Sequence, residues 1–146
     1  MIVKITLHMD SKHSFELTDG RTLEGLNPKE MLLYATADCA GRTIVSLLKE
    51  HVVSIIDLFI SVEGTLNTPT VVAESRYTHL NIIYNATCHT LKEQIVISRA
   101  VSLAHDKYCG LVQMMRKVAP LSHETAIVTT QEMNSEEERA KRKDEK

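Results

Sequence analysis

Two cysteines, Cys39 and Cys109, are the residues of this 146-residue chain best suited to chemistry. A thiolate is both a nucleophile and a redox centre, and Lys107 lies close to Cys109, where a cation favours the thiolate. The two cysteines are 70 positions apart, so they meet only if two separate helices pack together. A cysteine on the apolar face of a helix is more often an inert small hydrophobe. The spacing is therefore compatible with a pair of thiols, but it does not show that the two sulfurs are in contact.

Other reactive arrangements in the sequence are weaker. His105 and Cys109 are four positions apart, and Cys88-His89 closes a strand pattern, so a metal site of Cys and His ligands is conceivable. The chain has no CxxC or HxxxH pattern and no Gly-rich phosphate loop. With seven histidines in the chain, a Cys–His hydrolase dyad can be drawn by chance and is a weak indication. We therefore predict no metal and no cofactor, and we interpret Cys88 as structural.

The elements that must position the thiols begin with strands. Apolar and polar residues alternate over residues 3–9 and again over 13–17, which is the period of a half-buried strand. Asp19-Gly20 is typical of a tight hairpin turn, and a return strand is predicted from Thr22 and Leu23. The first quarter of the chain is therefore predicted to be a β-meander.

Cys39 lies in a segment with clear helix signals. Asn27 is a capping residue type and Pro28 suits the first helical position, so a helix is predicted from there to about Glu50. The stripe predicted to face a neighbouring element contains Leu32, Cys39, Thr43 and Leu47.

Cys109 lies in a second helical pattern, which runs from about Leu91 to Val118. Gly110 lies inside this pattern and is predicted to mark a break or close packing. Between the two helices, alternation over 57–63 and 79–85 predicts an antiparallel pair of strands, and a last strand is predicted over 125–130.

The composition is that of an ordinary globular chain, with 43% hydrophobic and 25% charged residues and a net charge of -2. We expect one domain over residues 1–131 and a solvated charged tail over 132–146. The lack of a broad basic field argues against a nucleic-acid partner. No signal-peptide pattern and no apolar run approaching the roughly 20 residues of a membrane span is present, so we predict a cytoplasmic protein with no membrane partner.

Two motifs carry a resemblance to a known family. The run from Asn27 to Cys39, NPKEMLLYATADC, resembles the helix of OsmC/Ohr-like proteins that starts with Asn-Pro or Ser-Pro and holds the first redox cysteine. The segment from Ser98 to Cys109 resembles the second cysteine segment of that family. Both motifs occur in the expected order, and the resemblance covers about residues 2–130.

The resemblance implies an α+β fold of the OsmC-like type, in which antiparallel sheets pack on two central helices of an intertwined homodimer. It also implies thiol-dependent reduction of organic or inorganic hydroperoxides, with an external dithiol as the reductant. In that scheme Cys39 is the attacking thiolate, Cys109 is the resolving thiol and Glu30 is the acid of the site.

The chain departs from the organic-hydroperoxide branch at two places. In that branch an acid follows the proline directly, whereas Lys29 stands here and Glu30 comes one position later. The branch also has an arginine after the first strand that is missing from residues 10–13, and Arg21 and Arg42 are the candidate substitutes. These departures favour a divergent OsmC-like branch. They also leave a second function open, a protein of the same fold without turnover that binds a small apolar ligand or a partner at the dimer interface.

Overall fold

The computed structural model describes residues 1–69 and 75–130, and these form an α+β fold, as predicted. The predicted charged tail lies outside the described residues. The strands are β1 (Ile2–Met9), β2 (Phe15–Leu17), β3 (Asp57–Leu66), β4 (Tyr77–Cys88) and β5 (Leu121–Thr129). The helices are α1 (Pro28–Glu50), α2 (Leu91–Leu103) and α3 (Gly110–Val118), with a 3₁₀ turn at Leu23–Gly25 and a π-helical turn at Ala104–Tyr108, here called the π turn.

The five strands form one sheet in the order β2-β1-β3-β4-β5. The pairs β1–β2, β1–β3 and β3–β4 are antiparallel, which confirms the predicted pairing of the two longer strands. β5 instead runs parallel to β4. A parallel neighbour requires a long crossover, which α2, the π turn and α3 supply. The expectation of antiparallel sheets is therefore corrected to a single mixed sheet.

α1 starts where the sequence predicted, and a capping box fixes this start. The Asn27 side chain accepts a hydrogen bond from the Glu30 backbone N–H, and the Glu30 carboxylate accepts one from the Asn27 N–H. Pro28 occupies the first helical turn, where its missing N–H leaves no intrahelical bond unmade. Such caps contribute about 1 kcal/mol each to helix stability.

The face of α1 that packs on the sheet is not the predicted stripe. Leu32 is 38% exposed, and Cys39 and Leu47 are only partly buried. The predicted stripe lies beside this face, and its Cys39 contacts Cys109 where α1 packs against α3. The buried residues are Leu33, Thr36, Ala37, Ala40, Gly41, Ile44, Val45 and Leu48.

α1 is also long and apolar enough to cross a membrane, judged by length and hydropathy alone. The prediction that no stretch approaches a membrane span is corrected by this finding. Its packed row lies against β1 and β3, and its other face carries the Asp38–Arg42 ion pair. An apolar row covered by a sheet beside a charged face is the pattern of a core helix in a soluble fold.

The predicted β-meander is wrong in its third strand. Gly20 makes the turn with a φ of 81°, a conformation that favours glycine. The chain then forms the 3₁₀ turn instead of a return strand, and Leu26 enters the core. Because the helix cap at Asn27 follows directly, too few residues remain to pair with β2.

The second helical pattern is interrupted, as the position of Gly110 predicted. α2 ends at Leu103, the π turn follows, and α3 begins at Gly110. Among the described residues, no atom outside the adjoining backbone of α3 lies within 4 Å of where a Cβ at Gly110 would stand, so the glycine marks a break and not close packing.

β5 begins four residues earlier than the sequence indicated, at Leu121. Residues 122–126 are exposed on both faces of the strand, so the alternation that reveals a half-buried strand is absent there.

Candidate redox site

The two thiols predicted to form a pair lie side by side. The Sγ atoms of Cys109 and Cys39 are 3.1 Å apart, with Cys109 donating a hydrogen bond to Cys39. A disulfide has an S–S distance of about 2.05 Å, so a closure of roughly 1 Å converts the contact into a bond. Cys39 is partly exposed and Cys109 is buried, so a solute reaches Cys39 first.

The position of Cys109 is set by the break between the π turn and α3. Its backbone N–H donates to the Ala104 carbonyl at 2.9 Å, and its own carbonyl accepts from the Gln113 N–H at 3.2 Å. Its φ of -79° and ψ of 104° are extended, so it acts as the N-cap residue of α3. α1 packs against both the π turn and α3, which places this cap against Cys39.

The electrostatics of Cys109 keep its thiol protonated. Burial, followed by the hydrogen bond to Cys39, raises the pKa of Cys109 well above its usual range. The backbone N–H groups of Val112 and Leu111, at the start of α3, act in the opposite direction without reversing the shift. Cys109 is therefore a proton donor toward Cys39, and a donated hydrogen bond stabilises negative charge on the accepting sulfur.

The candidate arginine on α1 is paired with a carboxylate one turn earlier. Arg42 Nε donates to Asp38 Oδ2 at 2.8 Å, and the Arg42 side chain is 72% exposed. The other carboxylate oxygen, Asp38 Oδ1, is buried and has no hydrogen-bond partner among the described residues. An exposed pair four residues apart on a helix contributes only about 0.3–0.5 kcal/mol, so Arg42 stays free to turn toward another anion.

Glu30 lies away from the thiols, at the first turn of α1. Its carboxylate accepts from Asn27 and forms an ion pair with Arg21, whose Nη1 lies 2.9 Å from Glu30 Oε2. Glu30 and Cys39 are nine positions apart, which places them about 13.5 Å apart along the helix and half a turn round it. The chain thus has an Arg–Glu pair, but this pair lies at the helix start and not beside Cys39. The catalytic assignment of Glu30 stays a prediction.

A polar group behind Cys109 was not predicted as part of the site. Tyr84 on β4 is fully buried, and a 2.8 Å hydrogen bond joins its hydroxyl to Nδ1 of His105 in the π turn. Burial and a charge on Cys109 raise the pKa of Tyr84 above its usual range. The alternation of β4 placed Tyr84 on the core face, and a buried tyrosine hydroxyl generally needs a partner. The sequence therefore indicated that the Tyr84 hydroxyl has a hydrogen-bond partner, but it did not identify His105 as that partner.

The third cysteine is separate from the pair. Cys88 ends β4 fully buried, and its thiol lies 3.5 Å from the Thr90 carbonyl oxygen. Burial raises the pKa of Cys88, so the thiol stays protonated and unreactive. Its interpretation as a structural residue stays a prediction. Within residues 1–69 and 75–130, no group of three or more His, Cys, Asp and Glu side chains is arranged to hold a metal ion.

This is a small α+β protein with a pair of thiols. One cysteine lies in the long helix on the mixed sheet, and the second lies at a helix break that packs against it. The chain belongs to the family described as OsmC-like protein, which matches residues 19–124.

Relatives and solved structures support the same assignment. Protein YhfA of Escherichia coli K12 is 28% identical over 102 residues, which is 70% of this chain and 73% of YhfA. A hypothetical protein from Aquifex aeolicus is 26% identical, with a TM-score of 0.55 over 87% of this chain and 98% of that chain. The organic hydroperoxide resistance protein OhrB of Bacillus subtilis is 15% identical, with a TM-score of 0.52 over 85% of this chain and 98% of its own. At that identity the likeness to OhrB shows the shared fold alone.

Proposed function

We propose that this chain is a cytoplasmic, thiol-dependent peroxidase that reduces organic or inorganic hydroperoxides through Cys39 and Cys109. The observation that supports the proposal is the 3.1 Å separation of the two sulfurs, one partly exposed and the other buried. The organic hydroperoxide resistance proteins share the fold. Cys39 is the attacking residue because a peroxide reaches it first.

The chemistry balances in three steps. The Cys39 thiolate attacks the O–O bond, which gives a sulfenic acid on Cys39 and, with one proton taken up, an alcohol or water. The Cys109 thiol then condenses with the sulfenic acid, and the S–S bond forms as one water leaves. An external dithiol exchanges with this disulfide, becomes oxidised itself and restores both thiols. Glu30 is proposed to support the reaction only by fixing, with Arg21, the start of the helix that carries Cys39.

Cys39→Ser is expected to lower hydroperoxide consumption roughly 100-fold or more, because a serine hydroxyl without an adjacent base is a poor nucleophile toward the O–O bond. The measurement is the loss of hydrogen peroxide and of cumene hydroperoxide with dithiothreitol or reduced lipoamide as the reductant. Cys88→Ala is the matched control, since it removes the cysteine outside the pair and should leave the rate unchanged. Equal rates in the wild type and Cys39→Ser, or no turnover in the wild type with either peroxide, reject the proposal.

We propose a homodimer as the working form. Residues 122–126 of β5 are exposed on both faces at the edge of the sheet, and Val128 beside them is 55% exposed. An exposed edge strand with apolar residues is a surface that proteins usually cover. Sedimentation at micromolar concentration should give twice the chain mass, and a monomer at that concentration counts against the assignment.

A second candidate function is binding of a small organic acid without turnover. A cavity of about 410 Å³ lies at the C-terminal end of α1, some ten residues beyond Cys39. It is lined by His13, Val45, Leu48, Lys49, Val52, Val53, Ser54 and Ile55. His13 and Val52 both have positive φ, and Val52 is 93% exposed. Strained residues that gather at one cavity are a feature of binding sites.

Octanoate is the probe for this cavity, because the walls are mostly apolar and no carboxylate among the described residues pairs with Lys49. We expect saturable binding by calorimetry, weakened about three- to fivefold in Lys49→Met, since an exposed ion pair contributes up to about 1 kcal/mol. Octanol should bind the wild type and Lys49→Met equally. Octanoate that does not saturate, or that binds Lys49→Met as tightly as the wild type, removes this function.

A further inference from the structure

His105 is a deeply buried, titratable side chain that the redox chemistry does not use. It is 1% exposed, its Nδ1 is hydrogen-bonded to Tyr84, and its Nε2 is buried with no partner among the described residues. Its ring also stacks against that of His123 on β5, with centroids 4.0 Å apart. Burying a polar atom without a partner costs about 1–3 kcal/mol, so another interaction of this side chain must compensate.

The backbone of His105 is held as firmly as its ring. Its carbonyl accepts two hydrogen bonds from α3, one from Gln113 Nε2 at 2.9 Å and one from Arg116 Nη2 at 3.0 Å. His105 thus joins the π turn to α3 through its carbonyl and to β4 through its ring. π-helical turns inside helices are rare and occur often at functional sites. This one ends directly before Cys109.

We propose that His105 is the positioning residue of the thiol pair, which holds the π turn so that the Cys109 sulfur stays against Cys39. The inference rests on the proposed function for its biological use, but the positioning itself is independent of peroxide chemistry. Without the Tyr84–His105 bond, the turn loses its hydrogen bond to β4, and the position of Cys109 against Cys39 is less firmly held.

The charges around His105 make this positioning sensitive to acid. The groups that face it are Tyr84 from β4, His123 from β5, Arg116 from α3 and Asp106 from its own turn. Asp106, the one carboxylate of this set, is 68% exposed and lies 3.7 Å from Arg116. Burial, His123 and Arg116 lower the pKa of His105 to about 4, so its ring is neutral near pH 7.

The sign of the pH effect follows from this shift. The unfolded chain binds a proton at His105 below about pH 6.5, whereas the folded chain does so only near pH 4. The unfolded or locally opened turn is therefore favoured progressively as the pH falls from about 6.5 toward 4. Above pH 6.5 the ring is neutral in both states and the effect is absent.

The test measures how readily the Cys39–Cys109 disulfide forms, without any peroxide. Protein is equilibrated with reduced and oxidised glutathione and a selenol catalyst between pH 4.5 and 7, and trapped thiols are counted by mass spectrometry. The full chain carries Cys88→Ala, so that two thiols remain. Written between thiols and disulfides, this exchange consumes no net proton, so a change in the equilibrium constant with pH reports the geometry of the pair.

At pH 7 we expect His105→Leu to lower the equilibrium constant roughly tenfold, which corresponds to the loss of a hydrogen bond of about 1.4 kcal/mol. His105→Asn should keep an equilibrium constant close to that of the wild type, because an amide can bond to Tyr84 as donor or acceptor. The wild-type constant should fall as the pH drops below 6.5, and that of His105→Asn should stay flat. In His123→Gln the fall should be smaller and should end at a higher pH, because removing the neighbouring histidine raises the pKa of His105 in the folded chain and brings it closer to the unfolded value.

An unchanged constant in a folded His105→Leu overturns the proposal. If that variant does not fold, the pH dependence of the wild-type equilibrium constant is the test. A wild-type constant that does not change down to pH 4.5 also overturns the proposal. A normal glutathione equilibrium together with no peroxide turnover would reject the peroxidase and leave the role of His105 standing. The two ideas therefore fail separately.

Discussion

Replacing Cys109 with serine is expected to convert a reversible oxidation of Cys39 into an irreversible one. In the wild type, the Cys109 thiol stands 3.1 Å from Cys39 and can condense with a sulfenic acid as soon as it forms. Without that thiol, a second peroxide oxidises the sulfenic acid to a sulfinic acid, which ordinary dithiols do not reduce. After peroxide and then dithiothreitol, the Cys39 peptide of Cys109→Ser should be about 32 Da heavier, the mass of two oxygen atoms.

The control for this prediction is Cys88→Ala, which keeps the pair intact. Its Cys39 peptide should return to the unmodified mass after dithiothreitol, as in the wild type. Full recovery of the Cys109→Ser peptide would show that Cys109 does not resolve the intermediate, even if Cys39 is the attacking residue. The experiment therefore separates the roles of the two thiols.

Gly64→Ala is expected to destabilise the fold by about 3 kcal/mol, at the upper end of overpacking effects. A Cβ at Gly64 would overlap the ring of Tyr77, which lies across this glycine from β4. The ring cannot move aside easily, because Tyr77 is buried and its hydroxyl donates to the Lys29 carbonyl at 2.7 Å. The overlap therefore disturbs both the β3–β4 pair and the start of α1. Urea unfolding followed by circular dichroism gives the free energy.

Two comparisons make this prediction specific. Gly110→Ala adds the same methyl group where no atom lies within 4 Å, so the stability should stay unchanged or rise by up to about 1 kcal/mol. In a Tyr77→Ala background the overlap is gone, and Gly64→Ala should then cost much less. An additive double mutant would mean that Gly64 is needed for a reason other than the Tyr77 ring.

The helix of Cys39 illustrates how much local signals can predict. Asn27, Pro28 and Glu30 set the start of α1 through backbone hydrogen bonds within four residues, so the sequence alone located this helix. The choice of packed face was different. The sequence analysis named a stripe with Leu32, whereas Leu33 is the residue buried against the sheet, and only tertiary packing decided this.

The partners of charged residues also depended on tertiary structure. Arg21 and Arg42 were both candidates for the thiol, and the structure pairs them with Glu30 and Asp38 respectively. The turn after Gly20 returns Arg21 to the first turn of α1, which no local pattern specified. The polar group of Tyr84 and His105 was missed for the same reason, since its members come from elements 21 positions apart.

The sequence by itself determined α1, the antiparallel β3–β4 pair, the two cysteine-bearing segments and the resemblance to OsmC-like proteins, because alternation, capping and motif spacing are local properties of the chain. The tertiary structure decided that β5 lies parallel to β4, that a π turn precedes Cys109, and that the Cys109 and Cys39 sulfurs are in contact. These features depend on which surfaces pack together over long separations along the chain. Such packing is set by the energy of the whole core and not by any one segment.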